Sequence, residues 1–117
     1  MATRDVVEGY LGCLKQGKGW ESFLADAMTF TSFTTPPRRV EGKAAYLEAT
    51  RRFYSMVKAV EVKGVLVEGD EACALTHYEL QPPHGAPFTS DVAEIFGVRE
   101  GKIESFDIYF DSAPFPR

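Results

Sequence analysis

Beyond Ala59 the helical spacing of apolar residues disappears, and the sequence reads as four strand-like runs in which every second side chain shares a face: Ala59 to Val67, Glu71 to Leu80, Pro87 to Val98 and Lys102 to Phe110. A period of two suits a half-buried strand and no helix. Between the runs lie Glu68-Gly69-Asp70, Pro82-Pro83-His84-Gly85 and Arg99-Glu100-Gly101, all residue types that accept tight backbone geometry. Connections this short give neighbouring strands no room for a crossover, so the four runs are expected to pair in order as an antiparallel meander.

The first half has a different rhythm. Val6, Val7, Tyr10, Leu11 and Leu14 recur at spacings of three and four, which predicts a helix from Thr3 to Gln16 with Thr3 as its cap and Gly17 as its stop. A short second helix follows, burying Trp20, Phe23 and Leu24. Met28 to Phe33 then alternates as a strand, with Met28, Phe30 and Ser32 on one face. Thr34, Thr35, Pro36, Pro37, Arg38 and Arg39 read as a surface loop, since proline cannot donate to a central ladder. The third helix starts near Gly42, with Ala44, Leu47, Thr50, Tyr54 and Val57 as its apolar stripe. Helices first and a meander after them make an α+β fold, a cone-shaped curved antiparallel sheet wrapped around three N-terminal helices, with the first strand at an edge. The mouth of such a cone is a natural place for a small molecule.

With 117 residues the chain has the size of one domain, spanning 1–117, with room for a single core. Thirteen Lys and Arg against seventeen Asp and Glu leave a formal charge of −4 and no basic run longer than a pair, which excludes a phosphate-backbone footprint and hence a nucleic-acid partner. No apolar stretch is long enough for a membrane span, and the charged residues Arg4, Asp5 and Glu8 stand where a secretion signal needs an apolar core, so a cytoplasmic protein is expected. Cys13 and Cys73 are too few for a disulfide scaffold and are expected as buried free thiols.

The segment Gly85-Ala86-Pro87-Phe88-Thr89-Ser90-Asp91-Val92-Ala93-Glu94-Ile95-Phe96, followed by Glu100-Gly101-Lys102-Ile103 and Tyr109-Phe110-Asp111, resembles the closing hairpin of the nuclear transport factor 2-like superfamily, its SnoaL-like branch above all. Leu24-Ala25-Asp26-Ala27-Met28-Thr29-Phe30 and Val40-Glu41-Gly42 resemble its first strand and the start of its third helix. The resemblance covers nearly the whole chain and implies the cystatin-like cone also seen in ketosteroid isomerase. It does not fix an activity, because this superfamily hosts isomerases, dehydratases, cyclases, epoxide hydrolases and binders without catalysis.

Superposing the family pattern on the alternation sends Ser90, Val92, Glu94, Phe96 and Val98 into the cone, with Glu104, Phe106, Ile108 and Phe110 from the last strand. Thr76, Tyr78 and Leu80 join them, as do Ser32 and Tyr10. Glu94 is the candidate acid, since a carboxyl among Val92, Phe96, Phe106 and Phe110 loses hydration as an anion and is pushed toward its neutral, donating form. The ketosteroid isomerase branch has an acid of this role at the matching position, with its tyrosine partner at Tyr10; the other reading of Glu94 is a structural acid without substrate chemistry, and in both readings its hydrogen-bond partner is Tyr10 or Tyr78. The isomerase's carboxylate base falls at Ser32, a hydroxyl too weakly basic to take a carbon-bound proton. The epoxide hydrolase carboxylate falls at Ile108, and the cyclase aspartate is nearest Asp107, which alternation turns outward.

The residues support a binder of a small apolar, carbonyl-bearing metabolite, with Glu94 and Tyr10 as candidate catalytic residues and Ser32, Tyr78, Val92, Phe96, Phe106, Ile108 and Phe110 lining the pocket. Two alternatives stand beside it: an isomerase, cyclase or dehydratase-type enzyme with Glu94 as acid, and a protein-interaction module using the sheet face. His77, Glu79, Asp91 and Asp107 share the outer face as a polar or dimer-forming surface, and neither a metal nor a cofactor is expected. Arg38 and Arg39 read first as solvated charges of the Pro-rich loop, with a guard of the cone mouth that favours an anionic ligand as the alternative. Ile95 and Tyr109, apolar on the outer face, suit a homodimer.

Overall fold

A computed structural model describes residues 2–34 and 38–115; Thr35, Pro36 and Pro37 of the expected loop lie outside the described residues. Helix α1 spans Thr3–Gln16, and its stripe Val6, Val7, Tyr10, Leu11 and Leu14 is buried. It ends at Gly17, whose φ of 81° is the left-handed turn that glycine adopts without a steric cost. Thr3 does not cap it. Ala2 holds the cap position, and Thr3 instead donates its hydroxyl to the Gly69 carbonyl at 2.8 Å, tying the helix to a distant turn. The second helix is a single 3₁₀ turn, Trp20–Phe23.

Strand β1 is Leu24–Ser32, and β2 is Arg38–Glu41, which pairs antiparallel with it. The double arginine is therefore strand, not loop. Helix α2, Lys43–Met56, is followed by β3 at Val57–Glu68, β4 at Glu71–Leu80, β5 at Phe88–Arg99 and β6 at Lys102–Phe110. The sheet order is β2-β1-β6-β5-β4-β3. The meander runs antiparallel throughout, but β1 lies parallel to β6 and inside the sheet, because β2 takes the edge. The α+β class and the cone stand as the sequence implied, built from two α-helices, a 3₁₀ turn and a mixed sheet.

Two local departures matter for the site. In β6, Ile103 pairs with Val98 and Ser105 with Gly97, so Glu104 has no opposite residue. This bulge turns Glu104 out to solvent and gives its expected inward place to Ile103, which is fully buried. In α2 the buried residue is Tyr46, with Thr50, Phe53 and Tyr54 further along the same face, whereas Ala44 is exposed and Val57 already belongs to β3. Leu47, the most apolar residue of the expected stripe, flanks that face and is half-buried.

Helix α1 lies across β3 to β6, and α2 across β1 and β2. Under α1 the cone is solid: the Tyr10 ring meets Trp20, Phe96 and Phe106 edge-on at centroid distances of 6.3, 5.5 and 6.0 Å. Under α2, toward the ends of β1 and β6 and the start of β5, it is hollow. Cys13 and Cys73 are free and half-buried rather than fully buried.

Candidate functional site

The hollow end encloses a cavity of about 630 Å³, large enough for a metabolite of moderate size. Its walls include Ser32, Tyr78, Val92, Glu94, Phe106, Ile108 and Phe110. Tyr10 and Phe96 are not among them. Both are completely buried in the solid end, where they form a floor beneath Phe106 instead of a lining.

Glu94 is the buried carboxyl of this site, held on β5 at the same parity as Val92 and Phe96 and 2% exposed. β4 supplies its partners, since Thr76 pairs with Val92 and Tyr78 with Ser90 on the neighbouring strand. Thr76 donates to Oε1 at 2.9 Å, and the Tyr78 hydroxyl stands 3.1 Å from Oε1 and 3.0 Å from Oε2. Burial raises the carboxyl to about 7, and the two hydroxyl donors, which favour the anion, restrain that rise. Near neutral pH both forms are populated, so Glu94 can accept a proton or donate one within its apolar surroundings.

Of the two expected partners of Glu94, Tyr78 is the one in contact, and Tyr10 points elsewhere. Its hydroxyl stands 3.4 Å from that of Tyr54, which in turn lies 2.6 Å from that of Tyr46. Burial lifts all three phenols well above their ordinary value, with the Glu94 charge adding to the effect, so they stay protonated. Tyr46 and Tyr54 line the cavity with Phe53, and Thr50 anchors its own hydroxyl to the Tyr46 carbonyl at 2.7 Å. Sequence reasoning misses Tyr46 and Phe53 as wall residues. The signal lies in the spacing 46, 50, 53, 54, but a stripe chosen by hydrophobicity favours Leu47 over a neighbouring tyrosine.

Toward solvent the lining becomes more polar. Arg38 stands opposite Ser32, Ser32 opposite Ile108 and Ile108 opposite Glu94, a rung that crosses four strands. Thr34, Ser90 and Ser112 also line the cavity, and Phe115 packs on Phe88 and Phe110 at centroid distances of 5.0 and 5.2 Å. The Ser90 hydroxyl is buried and has no hydrogen-bond partner among the described residues.

On the outer face His77 Nδ1 and an Asp91 oxygen lie 2.7 Å apart, and this hydrogen bond holds Asp91 below the usual carboxylate range. Asp107 pairs opposite Ile95 on that face, and Glu79 opposite Thr89. Among the described residues no three His, Cys, Asp or Glu side chains come together as a metal site.

Solved structures share this architecture over almost their full length. The epoxide hydrolase/cyclase-like enzyme SalBIII, of pyran ring formation in polyether salinomycin, superposes with a TM-score of 0.81 at 16% identity, covering 96% of this chain and 92% of its own. A protein of ketosteroid isomerase-like fold from Catenulispora acidiphila, solved with trimethylamine, gives 0.77 at 15% identity, covering 97% and 90%. An NTF2-like protein from Cytophaga hutchinsonii gives 0.75 at 22% identity, covering 97% and 94%. Likeness at these identities concerns the fold. No curated protein matches the sequence. The SnoaL-like domain model matches residues 7–106, most of the helices and strands that build the cavity, and the chain therefore belongs to the SnoaL-like family.

Proposed function

We propose that this chain binds a small, largely apolar metabolite bearing a carbonyl, and that Glu94 in its neutral form donates a hydrogen bond to that carbonyl. The observation that carries the reading is a carboxyl of raised pKa, tethered by Thr76 and Tyr78, on the wall of an otherwise aromatic cavity. A ligand oxygen beside it gains a donor in a medium where water competes poorly. Among the described residues Glu94 is the single carboxylate of the lining, so proton abstraction by a second acid is not part of this reading. Where the family resemblance would place a base or a second acid, the cavity presents Ser32 and Ile108. If the chain has an activity, it is acid-assisted, an isomerisation, cyclisation or dehydration in which Glu94 polarises the carbonyl. Tyr10 supports the floor and does not touch substrate.

A second reading concerns the outer face. Phe33 and Tyr109, 42% and 50% exposed, stack with centroids 4.9 Å apart, and Leu75 is exposed on the same sheet. Such a surface suits a homodimer, or a partner protein, better than water. The free thiols agree with a reducing, cytoplasmic compartment, and no described helix is long and apolar enough to cross a membrane.

The test is a thermal-shift screen of wild-type protein and Glu94→Gln with apolar ketones, aldehydes and esters. Compounds that raise the wild-type Tm are expected, with smaller shifts in the variant because an amide is a weaker donor than a carboxylic acid. A panel that moves neither protein would overturn the reading.

A further inference from the structure

Among the described residues the cavity has two charged groups on its walls, and they do not neutralise each other. Glu94 is acted on by burial and by the Thr76 and Tyr78 hydroxyls, not by Arg38, although one rung of the sheet joins the two residues. Among the described residues no carboxylate lies within ion-pair distance of Arg38. Arg38 lines the cavity while staying exposed, which sets it at the rim of the cavity and not in its depth. Ser90, 2% exposed, adds a hydroxyl on the wall that lacks a partner, which a ligand oxygen would supply.

We infer that the ligand is an organic anion, an apolar body carrying a carboxylate-like head group that pairs with Arg38 at the rim. This rests on the reading of the cavity as a ligand site and adds the ligand's charge and its direction. An acidic head pairs with Arg38 and would lose its hydration without a counter-charge in the aromatic depth of the cavity, so the head faces out and the carbonyl-bearing end enters toward neutral Glu94. With a formal charge of −4 the protein as a whole does not draw anions. The preference is local to Arg38, whose planar fork matches a carboxylate.

The experiment uses the neutral fluorophore N-phenyl-1-naphthylamine as a reporter of the cavity, with 6-hydroxy-2-naphthoate and its methyl ester as matched competitors that differ in charge. At low ionic strength the acid should displace the reporter at about tenfold lower concentration than the ester, and added salt should narrow the gap. Arg38→Gln should abolish the acid's advantage and Arg38→Lys should keep part of it. Arg39→Gln, one position along the strand and so turned from the cavity, should leave it intact. Equal displacement by acid and ester, or an advantage that persists in Arg38→Gln, overturns the inference while leaving the cavity reading in place. If the reporter itself does not bind, the cavity reading falls and the inference with it.

Discussion

A carboxyl with a folded-state value near 7 and an unfolded value near 4.5 makes Glu94 a source of pH-dependent stability. Between those values the native state holds a proton that the unfolded chain has released, so stability falls as pH rises from about 4.5 to about 7. The total loss is on the order of 3 kcal/mol, since each tenfold change in the protonation equilibrium is worth about 1.4 kcal/mol. Glu94→Gln should flatten that part of the profile and equal or exceed wild-type stability at pH 8, as chemical denaturation across the range will show. A variant profile parallel to that of wild type would mean that the carboxyl is solvated in the native state. The burial of Glu94 could be read from its parity with Val92 and Phe96, because a period of two leaves a side chain only two directions. Its partners were only half legible. Tyr78 and Thr76 share its face on the neighbouring strand, whereas the hydroxyl of Tyr10 is drawn to Tyr54 by a helix contact that no local pattern encodes.

Elements were legible wherever one period dominated and few residues intervened. α1 and β4 have the expected limits, and β6 does too, although its bulge at Glu104 was hidden because one extra residue inverts parity without changing composition. β2 escaped because a strand of four residues after two prolines lacks enough alternation to be seen. The β5–β6 turn offers a prediction at this scale. Glu100 and Gly101 have φ of 53° and 77°, the twist that a two-residue hairpin needs, yet a glutamate gains nothing there. Glu100→Asn should raise stability by about 0.5 to 1 kcal/mol, since asparagine tolerates the left-handed region better. The same change should leave ligand binding untouched, as Glu100 is exposed and far along β5 from Glu94. Thermal unfolding with a measurement of reporter affinity checks both.

For the whole molecule, the sheet divides two roles between its faces, a cavity on the concave side and an aromatic surface on the convex one. If the convex surface joins two copies, Tyr109→Glu should convert a dimer of about 26 kDa, twice the 13.0 kDa chain, to a monomer in light scattering while the cavity still takes its reporter. A wild-type protein that runs as a monomer at high micromolar concentration removes the dimer from the proposal. The overall cone was legible because turn positions and alternation agree with one another over the entire second half. The parallel contact of β1 with β6 was not, since nothing near either strand announces a partner so remote in sequence. That contact also bears on the order of assembly. Thr29 stands beside Ser105, so the first strand of the chain waits for the last before its ladder is complete. The meander can zip up from neighbour to neighbour, whereas the wall that carries Ser32 and Arg38 joins the sheet only by closing the loop from β1 to β6. Closing so long a loop is entropically slow. In a stopped-flow refolding experiment the cavity should therefore acquire its reporter after most of the sheet has formed, which makes binding competence the final event of folding.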